Sequence, residues 1–446
     1  MIHSNIRAYP TSFALVILGC ILFSTDICFS QKDTGQYYDA TFLRYEDFVY
    51  KKNISTVQLQ KSSWEFSAPV IQLGSEEKLR LAFDDLDADN KSYRFTIVHC
   101  DANWQPTDRL LQSEYISGFM DDEIIDYQFS KNTTQHYAHY ELLFPTENLK
   151  PKLSGNYLLK VFLDYDQNNL VLTRRFMVSD NRVEIIPDEH RATILDDYNY
   201  KQEVDFTIQT QGYQITNPYQ DLKIVLMQND RWDNAVTKLK PLFVKDNELT
   251  YDYDQDNVFP GGNEFRNFDI KSLNIKSEFV EQNSMDSARN YIVDLFPAKS
   301  RSFLQYFSDN DINGKFKIVR QESDASFYNV EAEYVYVHFA LKMDHPVFDG
   351  GIYIFGAFTG WKYSNENKMH YNKALSQYEA TLYVKQGYYN YEFMYLKDKE
   401  KVGDETFAEG SHWETENDYE IYVYYKPISS NYDQLIGMKR FNSVKH

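Results

Sequence analysis

The sequence predicts an all-β protein built from serial immunoglobulin-like or early-set antiparallel β-sandwich modules. Three observations predict it. Short segments of alternating residues, rich in Tyr, Phe, Val and Ile, recur along the chain. Long amphipathic helices are scarce, so the crossovers of a parallel βαβ sheet are missing. Turn signals such as Ser154-Gly155-Asn156, Pro260-Gly261-Gly262-Asn263, Asp349-Gly350-Gly351 and Gln386-Gly387 separate the segments.

The N-terminus reads as an export signal over residues 1–30. An apolar run, FALVILGCILF at 13–23, follows Arg7 and is short for a bilayer span. Cleavage after Ser30 is expected. Lipidation at Cys20 is the alternative, but Ile17-Leu18 before it and Ile21-Leu22-Phe23 after it fit a lipid anchor poorly. Soluble cleavage leaves Cys100 alone among the three cysteines, and it is expected to be a buried free thiol.

A first sandwich is expected over 35–183. It contains YRFTIVHC at 93–100 and YLLKVFLDY at 157–165, and it ends in TRRFMVSD. Asp108–Ser117 could supply a helical turn or two. A middle sandwich over 200–325 holds VDFTIQTQ at 204–211, LKIVLMQN at 222–229 and YIVDLF at 291–296. A C-terminal early-set-like sandwich over 331–428 holds YVYVHFALKM at 334–343, GIYIFGAF at 351–358, YNYEFMYL at 389–396 and YEIYVYYK at 419–426. Residues 429–446 read as a polar tail. The boundaries lie near 183–200 and 325–333.

Composition narrows the function. The 446 residues carry 46 Lys and Arg against 66 Asp and Glu, a net charge of -20. That field argues against a nucleic-acid partner. Three cysteines are too few for a disulfide framework.

No residue constellation reads as an enzyme. His99 and Cys100 are adjacent on one strand, so they face opposite ways. Asp101 is expected to accept backbone N–H groups and, with Trp104, shape the turn beyond the strand. Asp309, Asp311 and Asn313 have the spacing of half a calcium loop. Arg320 stands where a bidentate Glu is required, so a polar hairpin turn is the better reading. The acidic run Asp84–Asn90 is expected to be solvated. No cofactor or small-molecule substrate is expected.

Binding is the remaining function. The partner-binding candidates are Trp104, Asn229, Arg231, Trp232, Glu264, Phe265, Arg266 and Trp361. Arg offers planar paired hydrogen bonds and Trp fills apolar pockets. The bland alternative for Arg231 and Glu264 is a buried ion pair tying two modules together. For Trp361 it is packing over its own hairpin.

Longer blocks carry a resemblance. They are YRFTIVHCDANWQPTDRLLQSEYISGF (93–119), SKNTTQHYAHYELLFP (130–145), LSGNYLLKVFLDYD, LTRRFMV, QNDRWDNA (228–235), VFPGGNEFRNFD (258–269), IYIFGAFTGWKY and VKQGYYNYEF. In this order they resemble the plug protein family of the Bacteroidota type IX secretion system. The third module also resembles, more weakly, early-set sandwiches of glycogen- and starch-associated modules, through Gly356, Phe358, Trp361, Gly387, Tyr389 and Tyr391. The plug resemblance implies a non-enzymatic periplasmic protein. It would bind the giant outer-membrane β-barrel translocon subunit and close its periplasmic mouth while the lateral-gate partner is absent. The alternatives are a surface glycan-binding module array and an export-machinery scaffold without pore closure.

Overall fold

The alternating segments become strands because each must bury one side chain in two. The computed structural model of the chain describes residues 41–324 and 327–444. The expected export signal, Cys20, residues 35–40 of the first module and Lys445-His446 lie outside the described residues. Each period-two segment named above is a strand, Tyr93–Cys100 with the same ends and the others with shifted ends. Among the described residues no α-helix exceeds four residues, and one of these, Gln112–Tyr115, falls in the stretch expected to turn.

The first sandwich pairs two antiparallel sheets. One orders Phe48–Val49, Asp166–Ser179, Gly155–Leu163, Tyr93–Cys100 and Asp122–Glu123, with Val70–Gln72 parallel beside Asp166–Ser179. The other orders Ile54–Lys61, Leu79–Asp85, Ala138–Phe144 and Asp126–Phe129. Aromatic side chains fill the space between them. Phe83 stacks on Tyr140 at 5.3 Å, and Tyr93 meets Tyr140 edge-on at 4.7 Å. Each such fully buried ring contributes about 1.5–3 kcal/mol over exposure, and edge-on pairing adds to it.

The other two sandwiches interleave in sequence. One face of the second orders Glu184–Arg191, Lys201–Gln209, Glu248–Tyr251 and Phe243–Lys245. Its other face orders Leu222–Gln228, Asp418–Tyr425 and Gln434–Asn442. The third lies between them in the chain. It packs Arg266–Asp269, Gly387–Lys397, Phe316–Ile318 and Gly350–Phe355 over a sheet that includes Val280–Met285, Tyr291–Leu295, Tyr334–Lys342, Gln377–Lys385 and His370–Asn372. The boundaries near 183–200 and 325–333 follow chain order. Hydrogen bonding and cores cross the second of them, because Phe268, Val293 and Ile318 share a core with Val335, Ile352 and Phe393.

The segment expected as a polar tail contains a strand. Gln434–Asn442 pairs with Asp418–Tyr425, and Leu435 and Ile436 are buried. Lys439 and Arg440 disguised it. Two consecutive apolar residues are needed because the strand is covered on both faces. Ile436 enters the core of the second sandwich, and Leu435 enters a separate cluster shared with the first. Asp418–Tyr425 obeys the same rule: Ile421 and Val423 point into the sandwich, while Tyr422 and Tyr424 point into the shared cluster.

Candidate functional site

The predicted binding residues gather at the seams between sandwiches. The first seam joins the outer face of the first sandwich to the outer face of the second. Cys100, Leu158, Met177 and Val70 meet Val225, Met227, Tyr422, Tyr424 and Leu435. The Tyr424 hydroxyl donates to Asn156 Oδ1 at 2.7 Å, and the Ala102 N–H donates to Asp433 at 2.9 Å. Cys100 is fully buried, and burial pushes its thiol up to about 12. His99 faces the opposite way, edge-on to Tyr157 at 4.9 Å, as strand alternation requires.

Trp104 stands in this seam. Its backbone is left-handed, φ 61°. The expected turn forms, since the Asp101 carboxylate accepts the N–H groups of Asn103 and Gln105 at 2.8 and 2.9 Å. This points the indole at Trp232, edge-on at 5.2 Å. The Arg175 guanidinium lies 4.5 Å from the Trp104 ring and 5.5 Å from the Trp232 ring, and it is held by two bonds to the Tyr45 carbonyl.

The second seam joins the second and third sandwiches. Asn229 is buried and exchanges hydrogen bonds with Asn417 and the Asp418 N–H at 2.7 and 2.9 Å. Arg231 is also buried. The sequence suggested Glu264 as its partner, but it pairs with Glu405 at 2.7 Å, Asp233 at 3.0 Å and Glu392 at 3.5 Å. Its guanidinium lies over Phe355 and Trp361 at 5.2 and 5.7 Å. Three carboxylates around one cation leave excess negative charge. Burial and the charge of Glu405 drive Glu392 well above the usual carboxylate range.

Glu264 serves a different contact. Its carboxylate accepts from the Tyr306 hydroxyl and from the Glu416 N–H. Burial, with Asp311 nearby, raises it to about 7. Phe265 packs edge-on to Trp361 at 6.0 Å, and Arg266 grips Glu409 at 2.9 and 3.0 Å. Trp361 packs on Phe355 of its own hairpin at 5.4 Å and reaches beyond it to Phe265. A Cβ on Gly314 would come within 2.2 Å of the Trp361 ring, so this close approach requires glycine. In the suggested half calcium loop, Asp311 spends its oxygens on the N–H groups of Asn313 and Phe265. Asp309 accepts from Asn310 N–H at 2.9 Å. Both act as loop pins.

The sequence reading missed the charges that close the seams. Asp84 and Asp85 are fully buried, not solvated. Asp84, in the first sandwich, forms a buried ion pair with Lys385 of the third, and it also binds His139 at 2.6 Å and the Tyr334 hydroxyl at 2.7 Å. The partners are 301 residues apart, so no local pattern announces them. Lys315 binds Asp230 and Asp418, both at 3.1 Å, and Arg440 binds Asp418 at 2.7 Å and the Phe66 carbonyl at 3.1 Å. This cluster touches all three sandwiches. Burial and the Asp230 charge push the nearby Glu420 carboxyl well up, with Arg440 Nε 3.4 Å from it.

Seams this buried have little surface to offer a partner, whereas exposed apolar groups lie away from them. Phe303 is 100% exposed, Phe307 79% and Leu304 60%, all in the loop after Ser300. The loop borders a cavity of about 890 Å³ lined by Tyr200, Pro260, Leu341, Met343, Phe407 and His412. Three large apolar side chains in so short a stretch are characteristic of an interaction site.

Residues 54–180 match the family model described as "Type 9 secretion system plug protein 1st domain". The crystal structure of a hypothetical protein from Parabacteroides merdae is 34% identical. The match covers 90% of this chain and 100% of that one, with a TM-score of 0.86. Native alpha-2-macroglobulin from Escherichia coli matches at 13% identity over 45% of this chain and 89% of that one, with a TM-score of 0.16, too slight to bear on fold or function. No curated protein matches.

Proposed function

The chain belongs to the type 9 secretion system plug protein family, and from that premise we propose that it closes the periplasmic mouth of the outer-membrane translocon barrel. It does so by binding, without catalysis, from the periplasmic side. The observation that carries this reading is the pairwise fusion of the three sandwiches by buried seams. A stopper for a wide pore must present a broad face that does not deform. Loosely linked domains would rock against one another, whereas packed cores with buried ion pairs hold one arrangement.

The loop bearing Phe303, Leu304 and Phe307 is the contact we assign to the barrel rim. Exposed aromatics of this kind gain most when a partner desolvates them. The net charge of -20 favours approach to a basic or mixed-polarity rim and makes association slower at high salt. The test is affinity purification of the tagged full chain from solubilised membranes. The translocon barrel subunit should co-purify with the parent chain and be depleted with F303S/F307S. Absence of the barrel from the parent eluate would reject the proposal.

A further inference from the structure

We infer that His190, Glu203 and Asp205 form a binding site for a divalent metal cation of the zinc class on the second sandwich. The three residues occupy one face of neighbouring strands, Glu184–Arg191 and Lys201–Gln209. His190 stands directly opposite Glu203 in the register. Asp205 lies two residues along from Glu203, on the same side of its strand. The alternate residues Val204, Phe206 and Ile208 enter the core, so this trio lies on the opposite side of the strands from it.

The ligand atoms converge. His190 Nε2 lies 3.1 Å from Asp205 Oδ2 and 3.9 Å from Glu203 Oε1, and all three atoms are within 4.8 Å of one another. Ligands bound tetrahedrally at about 2.0–2.1 Å stand roughly 3.3 Å apart, so sub-ångström shifts would complete the geometry. One imidazole and two carboxylates make a donor set suited to zinc. The His190 side chain is 38% exposed, which leaves a position open for water.

The tautomer points the same way. His190 Nδ1 lies 2.7 Å from the Arg191 carbonyl oxygen. A carbonyl only accepts, so Nδ1 carries a hydrogen. In the neutral ring Nε2 then directs a lone pair at Asp205 and Glu203, and only a proton or a cation between them removes the repulsion. A backbone carbonyl fixing the other ring nitrogen is the usual support of a metal-bound histidine. Among the described residues, His190 is the positive group paired with either carboxylate. Imidazolium would leave one negative charge unbalanced, whereas a divalent cation balances both.

The surroundings are built rather than loose. Glu203 is 1% exposed and accepts from the Thr193 N–H at 2.7 Å and the Thr193 hydroxyl at 3.2 Å. Asp205 accepts from the Tyr253 N–H at 3.2 Å and from Asn257 Nδ2 at 2.8 Å. Asn257 is fully buried, and its Nδ2 also donates to the Val204 carbonyl at 2.7 Å. The cation would cross-link two strands next to the second seam, where Gln202 bonds the carbonyls of Trp413 and Thr415 at 2.7 Å each.

The test uses the full mature chain, stripped with EDTA and desalted, then titrated with zinc chloride by calorimetry. Cobalt chloride serves as the optical probe of geometry. One zinc per chain is expected, with Kd of about 10 µM or tighter. Cobalt should give the intense visible absorption of a tetrahedral N/O site. His190→Gln, at a half-exposed position, should keep the parent circular dichroism. It should weaken zinc at least about tenfold and abolish the cobalt bands. Glu203→Gln and Asp205→Asn should act alike. No binding by the parent at 100 µM zinc, on the order of ten times the expected Kd, would overturn the site. So would unchanged zinc affinity in a folded His190→Gln variant.

Discussion

Replacing Lys385 by Met is expected to open the seam between the first and third sandwiches. The Lys385 ammonium binds Asp84, donates to the Asn329 carbonyl at 2.6 Å and lies 4.0 Å from the Tyr137 ring centre. Lys385 and Asp84 are 1% and 0% exposed. Met keeps the apolar stem and removes only the charge. Asp84 would then retain His139 and the Tyr334 hydroxyl. Breaking one partner out of a buried pair costs about 3–5 kcal/mol. The surviving bonds place this case near about 3 kcal/mol, or roughly a hundredfold in the opening equilibrium. Asp84→Asn in the same chain removes the stranded charge. The double variant should therefore be less destabilised than the two single losses summed, by about 2 kcal/mol.

Native-state hydrogen exchange is the assay, because a seam can open without global unfolding. Protection should fall first in Leu79–Asp85 and Gln377–Lys385. Burial raises the Asp84 carboxyl, but Lys385 and His139 outweigh it and hold it below the usual carboxylate range. Its stabilisation is thus present above the unfolded carboxylate pKa and is lost as pH falls through the lower folded value. Unchanged protection in Lys385→Met, or strict additivity in the double variant, would show that this ion pair does not hold the seam.

Glu264 has the opposite sign. Its carboxyl is raised from 4.5 to about 7, so protonation favours the fold, and that stability is lost as pH rises through the interval. The melting temperature of Glu264→Gln should therefore gain on the parent between about pH 5 and about pH 8, and a constant difference would contradict this. Cys100 should react slowly with a bulky thiol reagent in native protein and fast after denaturation, because its thiol is buried and raised to about 12. Fast native labelling would count against the first seam. F303S/F307S should leave thermal stability within about 0.5 kcal/mol of the parent, as exposed side chains do; a large loss would show that the loop packs internally.

The strands were legible because alternation is local. Tyr93–Cys100 was read residue for residue, and the turn beyond it followed from Asp101. Gln434–Asn442 was not legible, because a strand buried on both faces loses alternation and its Lys439 and Arg440 mimic a tail. The seams were half legible. Trp104, Asn229, Arg231, Trp232, Glu264, Phe265 and Arg266 stood out as unusual residues beside turns, and the structure gathers them between sandwiches. Their partners Glu405, Glu409 and Asn417 come from the returning chain, far away in sequence. Burial likewise depends on distant chain. The Asp84 run reads as a solvated turn until Lys385 is brought to it.

The proposed closure of the translocon can be tested in cells. The direct measurement is uptake of a large antibiotic or dye by cells lacking both this gene and the lateral-gate partner, with and without the gene restored. Cells without the plug should leak, and cells with it restored should reseal. Equal uptake in the two strains, with the restored protein present in the periplasm, would contradict pore closure and leave a scaffold role in its place.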